Sequence, residues 1–143
     1  MTIRKASLSD LSEITRLCLP LGYPVSEKEI SSRVDQILND NDHAVFVFET
    51  NEGLETLSGW IHIFGKHLIE LEYAEIGGLV VDIEKRRQRI GERLMRRCEE
   101  WAKEKGYEEI RLRSGGQRKE AHAFYEKIGY QNINWQQLFK RQL

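Results

Sequence analysis

The sequence predicts a mixed α+β fold: a mostly antiparallel sheet with helices on both faces and a splay between its fourth and fifth strands. Three observations predict it. Strand-like and helix-like segments follow one another as β, α, α, β, β, β, α, β, α, β, β; the three strands in the middle suit antiparallel pairing, and the helix after them suits a crossover to a parallel strand. Leu79-Val80-Val81 is a continuous apolar run at the end of a strand, the pattern of burial on both faces. Gly77-Gly78 lies inside that same strand, where paired glycines mark a bulge or a close approach to the backbone.

Taken in order, Thr2–Lys5 reads as a short first strand. Ser7 with Asp10 makes an S-x-x-D helix start, and Leu11, Ile14, Leu17 and Cys18 then recur at helical spacing. Pro20, Gly22 and Pro24 end that helix. Ser26 with Glu29 opens a second helix through Ile30, Val34, Ile37 and Leu38 to Asn39, so Leu19–Val25 joins two helices and carries an exposed aromatic residue, Tyr23. Ala44–Glu49 is an apolar, β-branched and aromatic run, Asn51-Glu52-Gly53 supplies hairpin chemistry, and Leu57–Phe64 is the returning strand. Gly65–Leu71 reads as a loop or ragged strand end, and Glu72–Val81 as the fourth strand. Ile90, Leu94, Cys98, Trp101 and Ala102 define a helix over Gln88–Lys105, stopped by Gly106. Glu109–Arg113 is a fifth strand, Lys119–Ile128 a helix stopped by Gly129, and Ile133–Trp135 and Gln137–Arg141 are the expected final strands.

At 143 residues, 40% hydrophobic and 31% charged, residues 1–143 suit a single globular domain with its own core. A net charge of −1 gives the whole molecule no pull toward nucleic acid or an anionic membrane, so any affinity for anions is local. No run approaches the ~20 apolar residues of a membrane span, and two cysteines make no disulfide framework. Cys18 and Cys98 read as buried reduced thiols, and a cytoplasmic location is expected.

Four constellations carry chemistry. Arg86, Arg87 and Arg89, with Gly91 beside them, sit where the fourth strand turns into a helix; free backbone N–H groups and the positive dipole end there make a seat for a phosphate or pyrophosphate. An ordinary solvated helix start and a nucleic-acid contact are the alternatives, the second weakened by Glu92, Glu99, Glu100 and Glu104 on the same helix. A bulge at Gly77-Gly78 would leave main-chain groups at Leu79–Val81 open to an extended amide-bearing ligand, such as the pantetheine arm of coenzyme A. Tyr125, on the flank of its helix, reads either as amphipathic packing or as a hydroxyl near a sulfur leaving group. With a pKa of ~10 against ~8.5 for a thiol, it would hydrogen-bond a thiolate more readily than protonate it. Glu75 reads either as a salt-bridged sheet residue or as a proton acceptor for an amine, with Glu70 and Glu72 competing for that role. The histidines show no metal-ligand spacing, and no metal is expected.

Glu75–Lys105 and Ile110–Tyr130 together resemble motifs A and B of the GNAT superfamily of acyl-CoA N-acyltransferases. Motif A in the family reads Q/R-x-x-G-x-G/A: Arg86 and Gly91 fit, while Arg89 stands at the middle glycine and Arg87 at another common glycine. An arginine at such a place predicts either a strained backbone or a different loop path. Motif B matches A-H-x-F-Y-x-x-x-G-Y through Ala121, His122, Phe124, Tyr125, Gly129 and Tyr130, with Arg118 where many relatives have asparagine. The resemblance implies a GNAT-like sheet and acetyl-CoA as cosubstrate. It also implies pantetheine beside Leu79, Val80 and Val81, and pyrophosphate on Arg86, Arg87, Gln88, Arg89, Ile90, Gly91 and Glu92, with Arg118 nearby. Tyr125 would lie near the thioester sulfur and Glu75 would be the base. The function expected is N-acetyl transfer to a small-molecule or peptide amine by direct attack in a ternary complex. Tyr23, Trp60, His62, Glu70 and Glu72 would meet the acceptor. Nucleic acid and membrane are not expected partners, and a homodimer is compatible with the reading. The rivals are a non-catalytic acyl-CoA sensor and a nucleic-acid-binding module using the 85–97 arginine cluster.

Overall fold

The computed structural model of the chain describes residues 2–21, 25–50, 56–86 and 88–143. Its elements run β1 (Thr2–Lys5), α1 (Leu11–Cys18), α2 (Glu27–Leu38), β2 (His43–Glu49), β3 (Leu57–His67), β4 (Glu72–Val81), α3 (Ile90–Glu104), β5 (Ile110–Leu112) and α4 (Lys119–Lys127). They fall into two compact units, Met1–Leu112 and Arg113–Leu143. The first holds the sheet and α1–α3, and the second holds α4.

The sheet has the order β1-β2-β3-β4-β5, antiparallel throughout except for the parallel β4–β5 pair. Alternation along β2 explains how both faces are filled. Phe46 and Phe48 project to the α3 side, where the guanidinium groups of Arg97 and Arg93 lie 4.4 and 4.8 Å from their ring centres. Ile90, Leu94, Met95, Cys98, Trp101 and Ala102 form the buried stripe of α3. On the opposite face Val47, Leu57 and Val80 pack with Ile14 and Leu17 of α1 and Ile30 and Val34 of α2, and Trp60 adjoins them. Each such side chain, fully buried, contributes about 1.5–3 kcal/mol, so the two apolar seams dominate the stability of the sheet. Cys98 is buried and Cys18 half-buried, both as free thiols.

The start and stop signals hold. Ser26 Oγ accepts the N–H of Glu29 at 3.1 Å, and the Ser7 N–H donates to Asp10 Oδ2 at 2.9 Å, opening a short 3-10 turn ahead of α1. Gly106 and Gly129, with φ of +88 and +106, end α3 and α4. The turn expected at Asn51-Glu52-Gly53 lies outside the described residues, while Thr50 N–H to Thr56 O, 3.2 Å, closes the hairpin beside it.

Three expectations need correction. β3 does not stop at Phe64 but runs to His67: Gly65 bonds through its N–H to Asp42 O at 2.9 Å, and a side chain there would collide with Tyr107 and Asp42. The third helix begins at Ile90 rather than Gln88, because Arg89 leaves the helical region. Ile133–Trp135 and Gln137–Arg141 are not strands. A strand needs an edge to pair with and a cover for its apolar side; here Trp135, Leu138 and Phe139 remain 74%, 96% and 86% exposed, and Asn134 Oδ1 takes the N–H of Trp135.

Candidate active site

The main chain of β4 keeps β3 on one edge throughout and loses β5 from the other partway along. Near its start the Ala74 N–H donates toward β5, to Glu109 O at 3.1 Å; just past its end the Asp82 N–H donates toward β3, to Ser58 O at 2.8 Å. Successive residues of a strand turn their N–H and C=O to opposite edges. Val80 therefore faces β3, whereas Leu79 and Val81 face the edge beside which β5 would continue. Pairing of β4 with β5 covers only Ala74–Ile76 with Ile110–Leu112. The register against β3 jumps from Gly78↔His62 to Ile76↔Ile63, so Gly77 is the inserted residue.

Gly77 is required by space, its φ not being positive. A Cβ there would fall 2.6 Å from His62 Nδ1 and 3.2 Å from the Phe64 ring, and one on Gly78 would lie 3.0 Å from the Trp60 ring. Side chains of β3 thus lean over the bulge and oblige both positions to stay bare.

Beyond β4, Asp82 Oδ1 accepts the N–H of Glu84 at 3.0 Å and starts a 3-10 turn at Ile83–Lys85. Arg86 is extended, Arg87 lies outside the described residues, and Arg89 adopts φ 60, ψ 21, the left-handed region. Of the two alternatives for an arginine there, the strained backbone is the one observed. It costs about 1 kcal/mol, against about 1.5–3 kcal/mol for each of the buried Ile90 and Leu94 that follow, so the core holds the turn in place. The first helical bond is Arg93 N–H to Arg89 O, 3.0 Å, and among the described residues no side chain caps the end. The N–H groups of Ile90, Gly91 and Glu92 are therefore directed outward without an acceptor in the helix. With Arg86, Gln88 and Arg89 exposed around them, they fit a diphosphate-bearing ligand. Further along α3 the arginines are engaged elsewhere: Arg93 and Arg97 over Phe48 and Phe46, and Arg96 with Glu99 at 2.8 Å.

On the face of the sheet that carries Trp60, Glu75 is buried, with Lys66 Nζ 3.5 Å from its Oε1. Phe64 and Arg111 are its neighbours in register. His62 belongs to the same face and stacks on Phe64, ring centres 5.3 Å apart. Its Nε2 lies 2.9 Å from His43 Nδ1. Burial, with His43 adding to it, pushes the His62 pKa down to about 4, so its imidazole is neutral at neutral pH. This histidine pair was not legible as a unit in the sequence; only the cross-strand register brings it together. Glu70 and Glu72 are not gathered with Trp60 and His62. Glu70 is exposed in the β3–β4 turn, and Glu72 bonds His67 Nδ1 at 2.9 Å, five residues or about 16 Å further along β3 and on the other face. His67 Nε2 also meets Asp42 Oδ2 at 2.9 Å, and Asp42 followed by Glu72 holds the imidazole pKa above its ordinary value. Tyr23 lies outside the described residues. Among the described residues no cluster of three or more His, Cys, Asp or Glu side chains is arranged for a metal ion.

In the second unit, Tyr125 on α4 is half-buried, its ring edge-on to Phe124 at 5.1 Å and to Tyr130 at 6.4 Å. Burial pushes its hydroxyl pKa up, with Arg118 opposing, which makes it a hydrogen-bond donor rather than a ready proton source. Arg118 precedes α4, and its carbonyl accepts the N–H of His122 at 3.1 Å.

Comparison with known proteins agrees with this fold. The family model described as acetyltransferase (GNAT) family matches residues 8–130. No curated protein sequence matches the chain. Among solved structures it is similar to the aminoglycoside 6'-N-acetyltransferase AAC(6')-IG of Acinetobacter haemolyticus, at TM-score 0.84 and 17% identity over 100% of this chain and 99% of that one. A GNAT family acetyltransferase of Staphylococcus aureus gives TM-score 0.73 and 25% identity over 99% and 98%. AAC(6')-Iy bound to a bisubstrate analogue of coenzyme A and acetylneamine gives TM-score 0.86 and 13% identity over 99% and 98%.

Proposed function

This chain belongs to the GNAT acetyltransferase family, whose acyl donor is acetyl-CoA, and from that premise we propose that it acetylates a primary amine by direct attack within a ternary complex. The observation that carries the reading is the outward-facing main chain of Leu79 and Val81, left without a strand partner among the described residues beside the start of α3. Bound acetyl-CoA supplies the thioester carbonyl that the amine attacks. The backbone of Leu79 and Val81 pairs with the pantetheine amides, and Val80 stiffens the strand from the β3 side. The N–H of Leu79 is the donor proposed to polarise the carbonyl, since that of Val80 is turned to β3. Arg86, Arg87, Gln88, Arg89, Ile90, Gly91 and Glu92 hold the diphosphate, largely through main chain, and Arg118 adds positive charge. Tyr125 donates a hydrogen bond to the departing sulfur.

An amine of pKa ~10.4 is about one part in a thousand neutral near pH 7.4, a handicap of ~4 kcal/mol, so its proton needs a taker. Glu75 is proposed to draw in the ammonium and take that proton, directly or through water. Trp60 and His62 share the face of Glu75 and are the proposed acceptor contacts. Glu70 and Glu72, at the far turn, would meet only a longer acceptor, and Tyr23 is a proposed contact from the α1–α2 connection. The acceptor is proposed to be a cationic small-molecule or peptide amine. A cytoplasmic location goes with the two free thiols.

A mass-shift screen of mixed amines with acetyl-CoA, covering aminoglycosides, aminoalkylphosphonates, polyamines, lysine and peptide N-termini, tests the reading. An acetylated product with stoichiometric thiol release supports it. Acetyl-CoA binding with no turnover across the panel replaces it with an acyl-CoA sensor. Steeply salt-dependent DNA or RNA binding, unaffected by coenzyme A, replaces it with a nucleic-acid module.

A further inference from the structure

Three strands place a line of groups across one face of the sheet, leading away from the bulge. His62 Nδ1 overhangs Gly77, within 2.6 Å of where a Cβ would stand, and among the described residues it makes no hydrogen bond. The other ring nitrogen, Nε2, is 2.9 Å from His43 Nδ1, and the two rings lie nearly coplanar at 15°. His43 Nε2 is 3.8 Å from Asp40 Oδ2, and the His43 side chain is 26% exposed. His43 and Asp40 line a cleft of about 190 Å³ together with Lys5, Asn41 and Lys105. The line thus starts at the point where β4 parts from β5 and ends at water-accessible surface.

We infer that His62 and His43 are a proton-exit path for the acetylation reaction, and this rests on the reading of the chain as an N-acetyltransferase. The N–H bond of the attacking amine breaks, and its proton reaches His62 Nδ1, directly or by way of Glu75. The Nε2–H bond of His62 breaks as an Nδ1–H bond forms on His43. His43 then releases its Nε2 proton to Asp40 or to solvent in the cleft, which leaves both rings neutral as Nδ1–H tautomers, and each ring flips once to restore its starting Nε2–H form. Charge and atoms balance: one proton enters at the bulge and one leaves at the surface. Burial disfavours a resting positive charge on His62, so a proton arriving there passes on. The charged and titratable groups around the pair are Asp40 after α2, Glu75 on β4, Lys66 on β3, Arg111 on β5, and Lys5 and Lys105 at the cleft. Phe64, stacked on both rings at 5.1 and 5.3 Å, holds their common orientation.

The test has two arms. Ring-nitrogen NMR on the whole protein without substrates should find His62 as the Nε2–H tautomer, donating to His43 Nδ1; an Nδ1–H tautomer at His62 overturns the path. With an amine identified by the screen, His62→Gln and His43→Gln, which keep a hydrogen bond but pass no proton, should each lower kcat about tenfold or more while leaving KM for acetyl-CoA unchanged. Imidazole added to His62→Ala should restore part of the rate, which a merely structural role would not allow. Unchanged kcat in both glutamine variants, or no rescue, overturns the inference. Absence of turnover with every amine overturns the enzyme reading and the inference with it, and the tautomer separates that failure from a pair oriented the wrong way.

Discussion

From Ala74 to Ile76, β4 has a strand on each side; from Gly78 to Val81 it pairs, among the described residues, with β3 alone. The first stretch has its main chain taken up by the sheet, and its side chains, Ala74, Glu75 and Ile76, are buried. The second keeps the same apolar character and the same β3 ladder but presents Leu79 and Val81 on an open edge. One inserted residue, Gly77, divides the two. The difference teaches that an open strand edge need not be distinct in composition from a paired one. What sets it apart is the removal of a neighbour at the right rung, and the rung is chosen by a glycine that two aromatic rings require to be bare.

That contrast can be broken or sharpened, beginning with the chemistry assigned to the open half. Tyr125→Phe should lower turnover about 100-fold, or ~2.7 kcal/mol, with little change in coenzyme A affinity; an unchanged rate by steady-state assay removes Tyr125 from the reaction. Next, Gly77→Ala drives a methyl into His62 and should cost about 1–3 kcal/mol in denaturant stability and weaken coenzyme A binding by titration calorimetry. Equal stability would mean that His62 yields and the division is soft. Glu75→Gln, on the paired half, should leave binding intact, slow neutral-pH turnover about tenfold and displace the pH–rate profile toward alkali. A superimposable profile would transfer the role to Glu70, Glu72 or water. Arg89→Gly, at the far end of the open half, should raise the thermal midpoint by relieving about 0.5–1 kcal/mol of left-handed strain, and a lowered midpoint would reveal a stabilising contact of the guanidinium.

The smallest effect belongs to the opposite end of β4. His67 between Asp42 and Glu72 has a raised folded-state pKa, so its contribution to stability is complete below the unfolded value of ~6.5 and is lost as pH climbs through the folded one. Between roughly pH 6 and 9 the chemical denaturation midpoint of the native sequence should fall more than that of His67→Gln. Parallel curves would show that the pair adds nothing.

Much of this arrangement was legible in the residues themselves. Gly77-Gly78 inside an apolar strand, the S-x-x-E start at Ser26, and the helical stripe from Ile90 to Ala102 each have a short-range physical signal, and each folds as read. So does the splay beside Leu79–Val81, which follows the bulge that the paired glycines mark. Lys66 beside Glu75 and His43 beside His62 were hidden for a different reason. Gly65 reads as a stop, although it serves a tertiary contact with Tyr107 and Asp42, and the apolar run of the second strand starts at Ala44, which leaves His43 outside it. Cross-strand neighbours depend on register, and an error of one or two residues at a strand end erases them. The terminal segments erred in the other direction: Ile133–Trp135 and Gln137–Arg141 have the alternation of strands, but pattern supplies no edge to pair with.

The thiols of this protein have a practical consequence for the bench. Cys98 is sealed under α3 with its ionisation suppressed by burial, and Cys18 is half-covered with its own thiolate disfavoured. Colorimetric reagents that titrate sulfhydryls should therefore react slowly with the folded enzyme, so that the colour developed during turnover reports liberated coenzyme A over a low, flat background.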